Sequence, residues 1–424
     1  MTKYVIIGGS AGGIGAVEAI REVDPVGTLT LISEEPAPQY SRPMISEYVS
    51  REATLDTMKY RGDQFWKNNN VQTLTGRTAT KIDFKEKFVE LDGGDKIDYE
   101  KLLIATGGKP FVPRMEGGEK DGVFTFTELS SAKGLESKLE NSKSAVVIGG
   151  GLIGVSAAEA LVKRGIKVTL VELKDNILNL ILDKTASEIA EKVLTEAGVT
   201  VITGQTVQRI LGRKDNQAAV GRVVMTDGTE IPCDLVVVAI GVIPRTELVK
   251  ETDLKLNRGI VVDRLMRTNI PDVYACGDVA EAHDFLLGEN RLLPLWPLAH
   301  LGGRVAGYNM AGKKAEYEGG TVMSSLKYFD LPIIAVGNVN PEDIGAYEVI
   351  VELQPTKTVY KKILLKDNVI VGFIFLGEIE KAGILFRLLK NKVNVGDIKG
   401  MFLSEDFGIV TLPEQLRQKM FVVN

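Results

Sequence analysis

Apolar positions gather along the chain in short unbroken runs that end on glycines and are followed by helical stripes. Tyr4 to Ile7 is the first such run. It enters a glycine cluster, a helical stretch follows to about Arg21, and a second run, Leu29 to Ile32, ends before Glu34 and Glu35. The succession returns at Ala145 to Ile148, passes again through glycines and a helical stretch, and closes on the run Lys167 to Val171 and on Glu172. Unbroken apolar runs bounded by turns suit strands buried on both faces of a parallel sheet, and the intervening stripes suit helices that cover it. The pattern therefore predicts two strand–turn–helix–strand units. From about Thr321 it changes character: LKYFDLPIIAVGNV and TVYKKILLKDNVIVGFIFLG read as strands, the second pair turning at Asp367 and Asn368. A helix is expected from Glu378 to about Lys392, with Ala382, Leu385, Leu388 and Leu389 on one stripe. No low-complexity segment or coiled-coil heptad interrupts the chain.

The glycines give the turns a chemistry. Gly149, Gly151 and Gly154 open the second helix in a strict Gly-x-Gly-x-x-Gly spacing, and Glu172 stands 18 residues beyond Gly154, close to the ~20 at which an acid reaches a ribose hydroxyl. In such a unit the glycines let the backbone approach a pyrophosphate, the helix N-terminus offers free N–H groups and a positive dipole end, and the acid accepts from the ribose. The first copy keeps Gly8 and Gly13 and departs only at Ser10. A small side chain fits there if its Cβ points away from the phosphates, and its hydroxyl can donate to one. Two nucleotide units about 140 residues apart are explained more naturally by a flavin beside a nicotinamide than by two copies of one cofactor.

Composition sets the remaining bounds. A length of 424 residues calls for two or three domains. Hydrophobic content of 44% with 25% charged residues reads as soluble and globular, and no apolar run reaches the ~18 residues of a membrane span. Nothing before Lys3 reads as a secretory leader, so a cytoplasmic location is expected. A net charge of −5 gives no basic face for nucleic acid. The two cysteines, Cys233 and Cys276, exclude a disulfide framework, and the two histidines, His283 and His300, lie too far from them in sequence to form a short-spaced metal cluster. No metal is expected, and Cys276 reads as a small buried apolar residue.

Four further stretches carry a resemblance: YSRPMISEY, LLIATGGKP, VVVAIGVIPRTEL and TNIPDVYACGDVAE. In this order, and together with the two glycine turns, they resemble the FAD-dependent pyridine-nucleotide reductases over roughly residues 3 to 312. The branch is that of the NADH:rubredoxin reductases, NADH oxidases, ferredoxin reductases and apoptosis-inducing factor. The resemblance implies an α/β fold with two Rossmann-like, doubly wound nucleotide-binding domains plus a C-terminal α+β domain. The FAD-binding domain would comprise residues 1–112 and 246–315, the inserted NAD-binding domain 113–245, and the C-terminal interface domain 321–424, which in relatives often forms a homodimer contact.

The implied roles follow residue by residue. Gly8, Ser10, Ala11 and Gly13 would cradle the FAD pyrophosphate, Glu34 would hold the adenosine ribose, and Arg42 would reach the FAD phosphates or adenine side. Ala105, Thr106 and Gly107 would pass the chain toward the NAD domain, and Gly277 and Asp278 would meet the ribityl chain. A helix starting near Pro297 or Ala299 would point its amides at the flavin pyrimidine, stabilising negative charge there by roughly 0.3–2 kcal/mol. Trp296 reads equally as a neighbour of the isoalloxazine or as a core aromatic. NAD would fall to Gly149, Gly151, Leu152, Ile153, Gly154, Glu172 and Gly241. Many relatives have lysine where this chain has Glu47 and glutamate where it has Ser156; losing both members of that ion pair avoids stranding one buried charge, and implies a relatively reducing flavin.

One departure narrows the chemistry. Disulfide reductases, water-forming NADH oxidases and coenzyme A disulfide reductases carry a redox cysteine where this chain reads Gln39-Tyr40-Ser41-Arg42-Pro43, so thiol turnover lacks a nucleophile. The reading is an NADH-oxidising FAD enzyme, in which hydride passes from nicotinamide C4 to flavin N5 and electrons pass on to a separate acceptor such as rubredoxin or another iron-sulfur protein. No side chain is required as an acid or base in the hydride step, so no catalytic residue is singled out. The alternatives are a peroxide-forming NADH oxidase, a nitrite reductase-like subunit of a larger redox complex, and a redox scaffold without turnover.

Overall fold

A computed structural model describes residues 1–36 and 39–421. The chain divides into two compact units. The first comprises Met1–Phe111, Thr127–Leu129 and Val242–Gly320; the second comprises Val112–Phe126, Ser130–Gly241 and Thr321–Asn424.

The first unit is built on a five-stranded parallel sheet in the order Val273–Ala275, Lys101–Ile104, Lys3–Ile7, Thr28–Ser33, Val71–Thr75. Its strands are buried on both faces, with Ile6, Leu31, Leu102 and Leu103 in the core, which is why they read as unbroken apolar runs. The sequence starts in the middle of this sheet and crosses first to one side and then to the other. The carboxyl end of Lys3–Ile7 is therefore the switch point at which doubly wound sheets bind ligands.

Two helices cover that point, Ala11–Val23 and Trp296–Met310, and glycine lets their backbones touch. A Cβ on Gly303 would stand 1.9 Å from the carbonyl oxygen of Gly12, and one on Gly307 would stand 2.6 Å from that of Ala16. Gly303 and Gly307 are four residues apart and so share a helix face. Cys276 is fully buried under the same contact, its Sγ 2.8 Å from where a Gly12 Cβ would sit.

The second unit repeats the plan with the parallel order Thr200–Ile202, Lys167–Val171, Ser144–Ile148, Leu235–Val238, Val123–Phe124. Its C-terminal part is an antiparallel sheet, Met323–Tyr328, Leu331–Gly337, Val369–Leu376, Val359–Lys366, Glu348–Gln354, with the helix Ala382–Lys390 packed on it. Asp367 and Asn368 form the expected two-residue turn, both at positive φ. The helix is shorter than the sequence suggests, and Glu348–Gln354 is a further strand that the sequence reading did not single out. This C-terminal part is fixed to the nucleotide part of its unit by polar contacts: Asp183 accepts from Lys362 Nζ at 2.8 Å and from the Tyr360 hydroxyl at 2.7 Å, and the Tyr328 hydroxyl donates to the Leu152 carbonyl at 3.0 Å.

The helix contact in the first unit makes a prediction. Gly303→Ala forces the two backbones apart, with an expected loss of about 3 kcal/mol, whereas Gly383→Ala, which meets no neighbour in its exposed helix position, is expected to gain up to about 1 kcal/mol. Thermal melts of the two variants beside the parent check both signs.

Candidate functional site

In the second unit the strand Ser144–Ile148 ends in Gly149, whose φ is +108°, and a Cβ there would stand 2.5 Å from the Ala239 carbonyl. Gly154 is closer still, its Cβ position lying 1.8 Å from the Gly149 carbonyl. These two glycines are required by the protein itself. Gly151 is different: it is the N-cap of Leu152–Lys163 in extended backbone, and a Cβ there meets nothing within 4 Å. The space it leaves open gives a ligand room to approach the backbone. The first helical bond runs from Val155 N–H to the Gly151 carbonyl, so the amides of Leu152, Ile153 and Gly154 have no helical partner at this end. Glu172 is buried behind the turn and accepts from the amides of Gly150 at 2.6 Å and Lys174 at 2.8 Å. Each of its oxygens retains a lone pair for a ribose hydroxyl. Gly241 closes the neighbouring strand at φ +112° with open space around it. Ser156 lies one turn into the helix, where its hydroxyl bonds that of Tyr328 at 3.4 Å.

The first unit has the same turn with Ser10 as N-cap, at φ −92°. Gly8 carries the positive φ, and a Cβ on Gly13 would stand 2.0 Å from the Gly8 carbonyl. Ser10 occupies the position that matches Gly151, where neither the backbone angle nor the packing demands glycine, and its hydroxyl makes no capping bond. Ile14 N–H bonds the Ser10 carbonyl, leaving the amides of Ala11, Gly12 and Gly13 at the helix end.

Two acids behave differently from each other. The register pairs Ile7 with Ile32 and Ile148 with Val171, so the place of Glu172 is taken in the first unit by Ser33, and Glu34 lies one residue farther on. Glu34 accepts from Arg245 Nη1 at 2.6 Å, and the same guanidinium also holds Glu128. Arg42 donates to Glu35 at 2.9 Å and to the Thr127 carbonyl at 2.9 Å. Thr106 Oγ1 donates to the Arg245 carbonyl and the Arg245 amide to that of Gly107, tying the Ala105–Gly107 turn to the returning strand. Glu47, on Ile45–Val49, accepts from the Ser46 hydroxyl at 2.7 Å.

Asp278 follows Gly277, whose φ is +75°, and sits where burial raises its carboxyl above the usual range, with the Arg42 cation opposing the shift. Among the described residues no hydrogen-bond donor reaches it. An inward carboxylate without a donor fits a polyhydroxyl ligand. The helix Trp296–Met310 starts one residue before Pro297; Pro297 has no N–H and the Ala299 amide bonds the Leu295 carbonyl, which leaves the amides of Trp296 and Leu298 at its end. The Trp296 ring packs edge-on to Tyr60, with centroids 5.1 Å apart. His300 follows on the same helix, its imidazole held below its usual range by burial. Cys233 and Cys276 are buried, and burial pushes both thiols up to about 12, so neither is a thiolate. Sequence reasoning missed Gln39, Thr127, Glu128 and Arg245 around the first turn; VIPRTEL contained Arg245, but nothing in the spacing tied it to Glu34.

Residues 2–323 match the family described as pyridine nucleotide-disulphide oxidoreductase, and residues 323–393 match the rubredoxin NAD+ reductase C-terminal domain. The chain belongs to the pyridine nucleotide-disulphide oxidoreductase family. It is similar to a nitrite reductase [NAD(P)H] of Bacillus subtilis, 30% identical over 93% of this chain and 48% of that protein, so it spans about half the length of that relative. It is similar along nearly its whole length to an NADH-rubredoxin oxidoreductase of Clostridium acetobutylicum, 28% identical over 94% of this chain and 97% of that one. Among solved structures it is similar to a NAD-dependent persulfide reductase from A. fulgidus, 30% identical with a TM-score of 0.87, covering 92% of this chain and 77% of that one. As a member of this family the protein is an FAD-dependent NADH oxidoreductase. The disulphide of the family's description has no counterpart here, because neither cysteine lies in the Gln39–Pro43 loop. Among the described residues no helix is long and apolar enough to cross a membrane.

Two predictions follow from the contrast between structural and ligand-facing positions. Gly151→Ala is expected to leave the melting temperature unchanged and to raise KM for NADH, while Gly154→Ala is expected to lose the fold of the second unit; melting curves and steady-state kinetics on both variants separate them. For Asp278, the raised carboxyl means that the flavin-free fold favours the protonated form and loses that advantage as pH rises through the raised value. A ligand whose hydroxyls donate to this carboxylate favours its charged form, so with Asp278 on the ribityl chain FAD affinity is expected to rise with pH across the same range. Asp278→Asn flattens this dependence and Asp278→Ala loses most of the FAD, a charged hydrogen bond being worth ~1.5–3 kcal/mol; FAD binding titrations at stepped pH give both answers.

Proposed function

We propose that the protein takes electrons from NADH onto FAD and delivers them to a small iron-sulfur protein such as rubredoxin. The observation that carries this reading is the pair of nucleotide turns in a chain whose only two thiols are buried and protonated: the flavin has no internal thiol to reduce. FAD, when bound, supplies a two-electron acceptor for hydride and a donor for single electrons. The chain's own residues do the rest. Gly8, Gly13 and the amides of Ala11 to Gly13 bind the pyrophosphate, Glu34 and Arg42 hold the adenosine side, and Asp278 orients the ribityl chain. The amides of Trp296 and Leu298 present positive charge to the flavin ring. Gly149 to Gly154 and Glu172 hold NADH, and Glu172 repels a 2′-phosphate. Glu47, in place of the lysine of many relatives, keeps positive charge away from the flavin and makes it a low-potential donor.

In this reading residues 1–112 and 246–315 form the FAD-binding domain, 113–245 the NAD-binding domain and 321–424 the interface domain. The likeness of residues 323–393 to a rubredoxin NAD+ reductase C-terminal domain supports an iron-sulfur acceptor. The edge strand Glu348–Gln354, with Val349, Val351 and Leu353 exposed, supports self-association through the same domain, which sedimentation reads directly. Reduced, unpaired cysteines support a cytoplasmic setting.

A second reading has one observation in its favour. The B. subtilis nitrite reductase is about twice as long as the part this chain matches, which supports a role as the NADH-oxidising part of a larger assembly. One experiment separates the readings: NADH and NADPH oxidation by the purified chain, followed in parallel with rubredoxin, ferredoxin, quinone and oxygen. The expected outcome is fast turnover with NADH and rubredoxin, slower turnover with NADPH and slow peroxide release in oxygen. Turnover only with oxygen would make it an oxidase, and none with any soluble acceptor would favour the assembly.

A further inference from the structure

Among the described residues of the first unit, four buried side-chain atoms have no hydrogen-bond partner: Gln39 Nε2, Tyr99 OH, Thr127 Oγ1 and His300 Nδ1. Two of them belong to one network beside the glycine turn. Gln39 Nε2 stands 2.9 Å from where a Cβ on Gly9 would sit, so its amide lies directly against the backbone of that turn. Thr127 Oγ1 belongs to the segment that the same loop holds. The Thr127 carbonyl accepts from Arg42 Nη1, and the following residues are clamped in the same way: Glu128 by Arg245, which also holds Glu34, and the Leu129 amide by the Tyr40 hydroxyl at 2.9 Å. Tyr40 in turn donates to Glu35 at 3.1 Å. The groups around them in this network are paired, whereas Gln39 lies against the turn and Thr127 is tied by its carbonyl to Arg42 of the loop that carries Gln39. A buried donor left without an acceptor costs stability, so folded chains seldom keep one unless something else fills the place.

We infer that Gln39 and Thr127 are binding groups for the ADP half of FAD, each hydrogen-bonding an oxygen or nitrogen of the ligand beside Gly9 and Ser10. The inference rests on the FAD reading of the first turn. It also gives Ser10 a context: this chain departs from the strict glycine spacing and places an amide donor over the same turn. Ligand recognition at this end is thus shared between backbone amides, which any such turn offers, and two side chains particular to this sequence.

The test uses the flavin-stripped full-length chain and two near-isosteric variants, Gln39→Met and Thr127→Val, titrated with FAD and separately with FMN, which lacks the AMP portion. Each variant is expected to bind FAD about 10-fold more weakly and FMN as the parent does. The flavin-free variants should melt at the parent temperature or above it, because an unpaired buried polar group has been removed. Unchanged FAD affinity in both variants overturns the inference, as does an equal loss for FAD and FMN, or a flavin-free melting temperature that falls in step with binding. A parent chain that binds no FAD at all refutes the FAD reading itself, so the two failures are distinguishable.

Discussion

The whole arrangement depends on how closely one backbone can approach another at the end of a strand. In both units the third glycine of the turn sits where a Cβ would come within 2.0 Å or 1.8 Å of the first glycine's carbonyl oxygen, so the helix can start only there and only in that direction. That contact aims the helix N-terminus, with its unpartnered amides, at the switch point of the sheet. In the first unit a second contact of the same kind, between Gly12 and Gly303, brings another helix to the same edge. Two helix N-termini, each with unpartnered amides, are thereby fixed side by side by atoms that carry no charge.

The parts that obey such backbone rules were legible in the sequence. Unbroken runs such as Tyr4–Ile7 and Ala145–Ile148 announced buried parallel strands, and the glycine spacings announced the turns. Asp367 and Asn368 announced a hairpin because both tolerate positive φ. What escaped was set by tertiary contact. Glu348–Gln354 mixes charges with apolar residues because it is an edge strand, with one side open. The Arg245–Glu34 pair joins residues 211 positions apart, and no local pattern encodes it. Glu172 was legible as an acid after a strand, but its bonds to Gly150 and Lys174, which hold the turn shut, were not.

The chemistry follows from what the fold permits and what it removes. Relatives that reduce disulfides place sulfur close to the flavin; here the corresponding loop contributes Tyr40 and Arg42 to a network of carboxylates instead. Burial keeps the two remaining thiols protonated, and so unreactive. Electrons that enter from NADH therefore meet no reactive thiol within the chain.

An anaerobic titration of the flavin-loaded protein with NADH tests that account most directly. The account predicts that a single equivalent bleaches the flavin absorbance completely and that no more NADH is consumed until an acceptor is added. Uptake of a second equivalent would reveal another two-electron group within the chain and would contradict it.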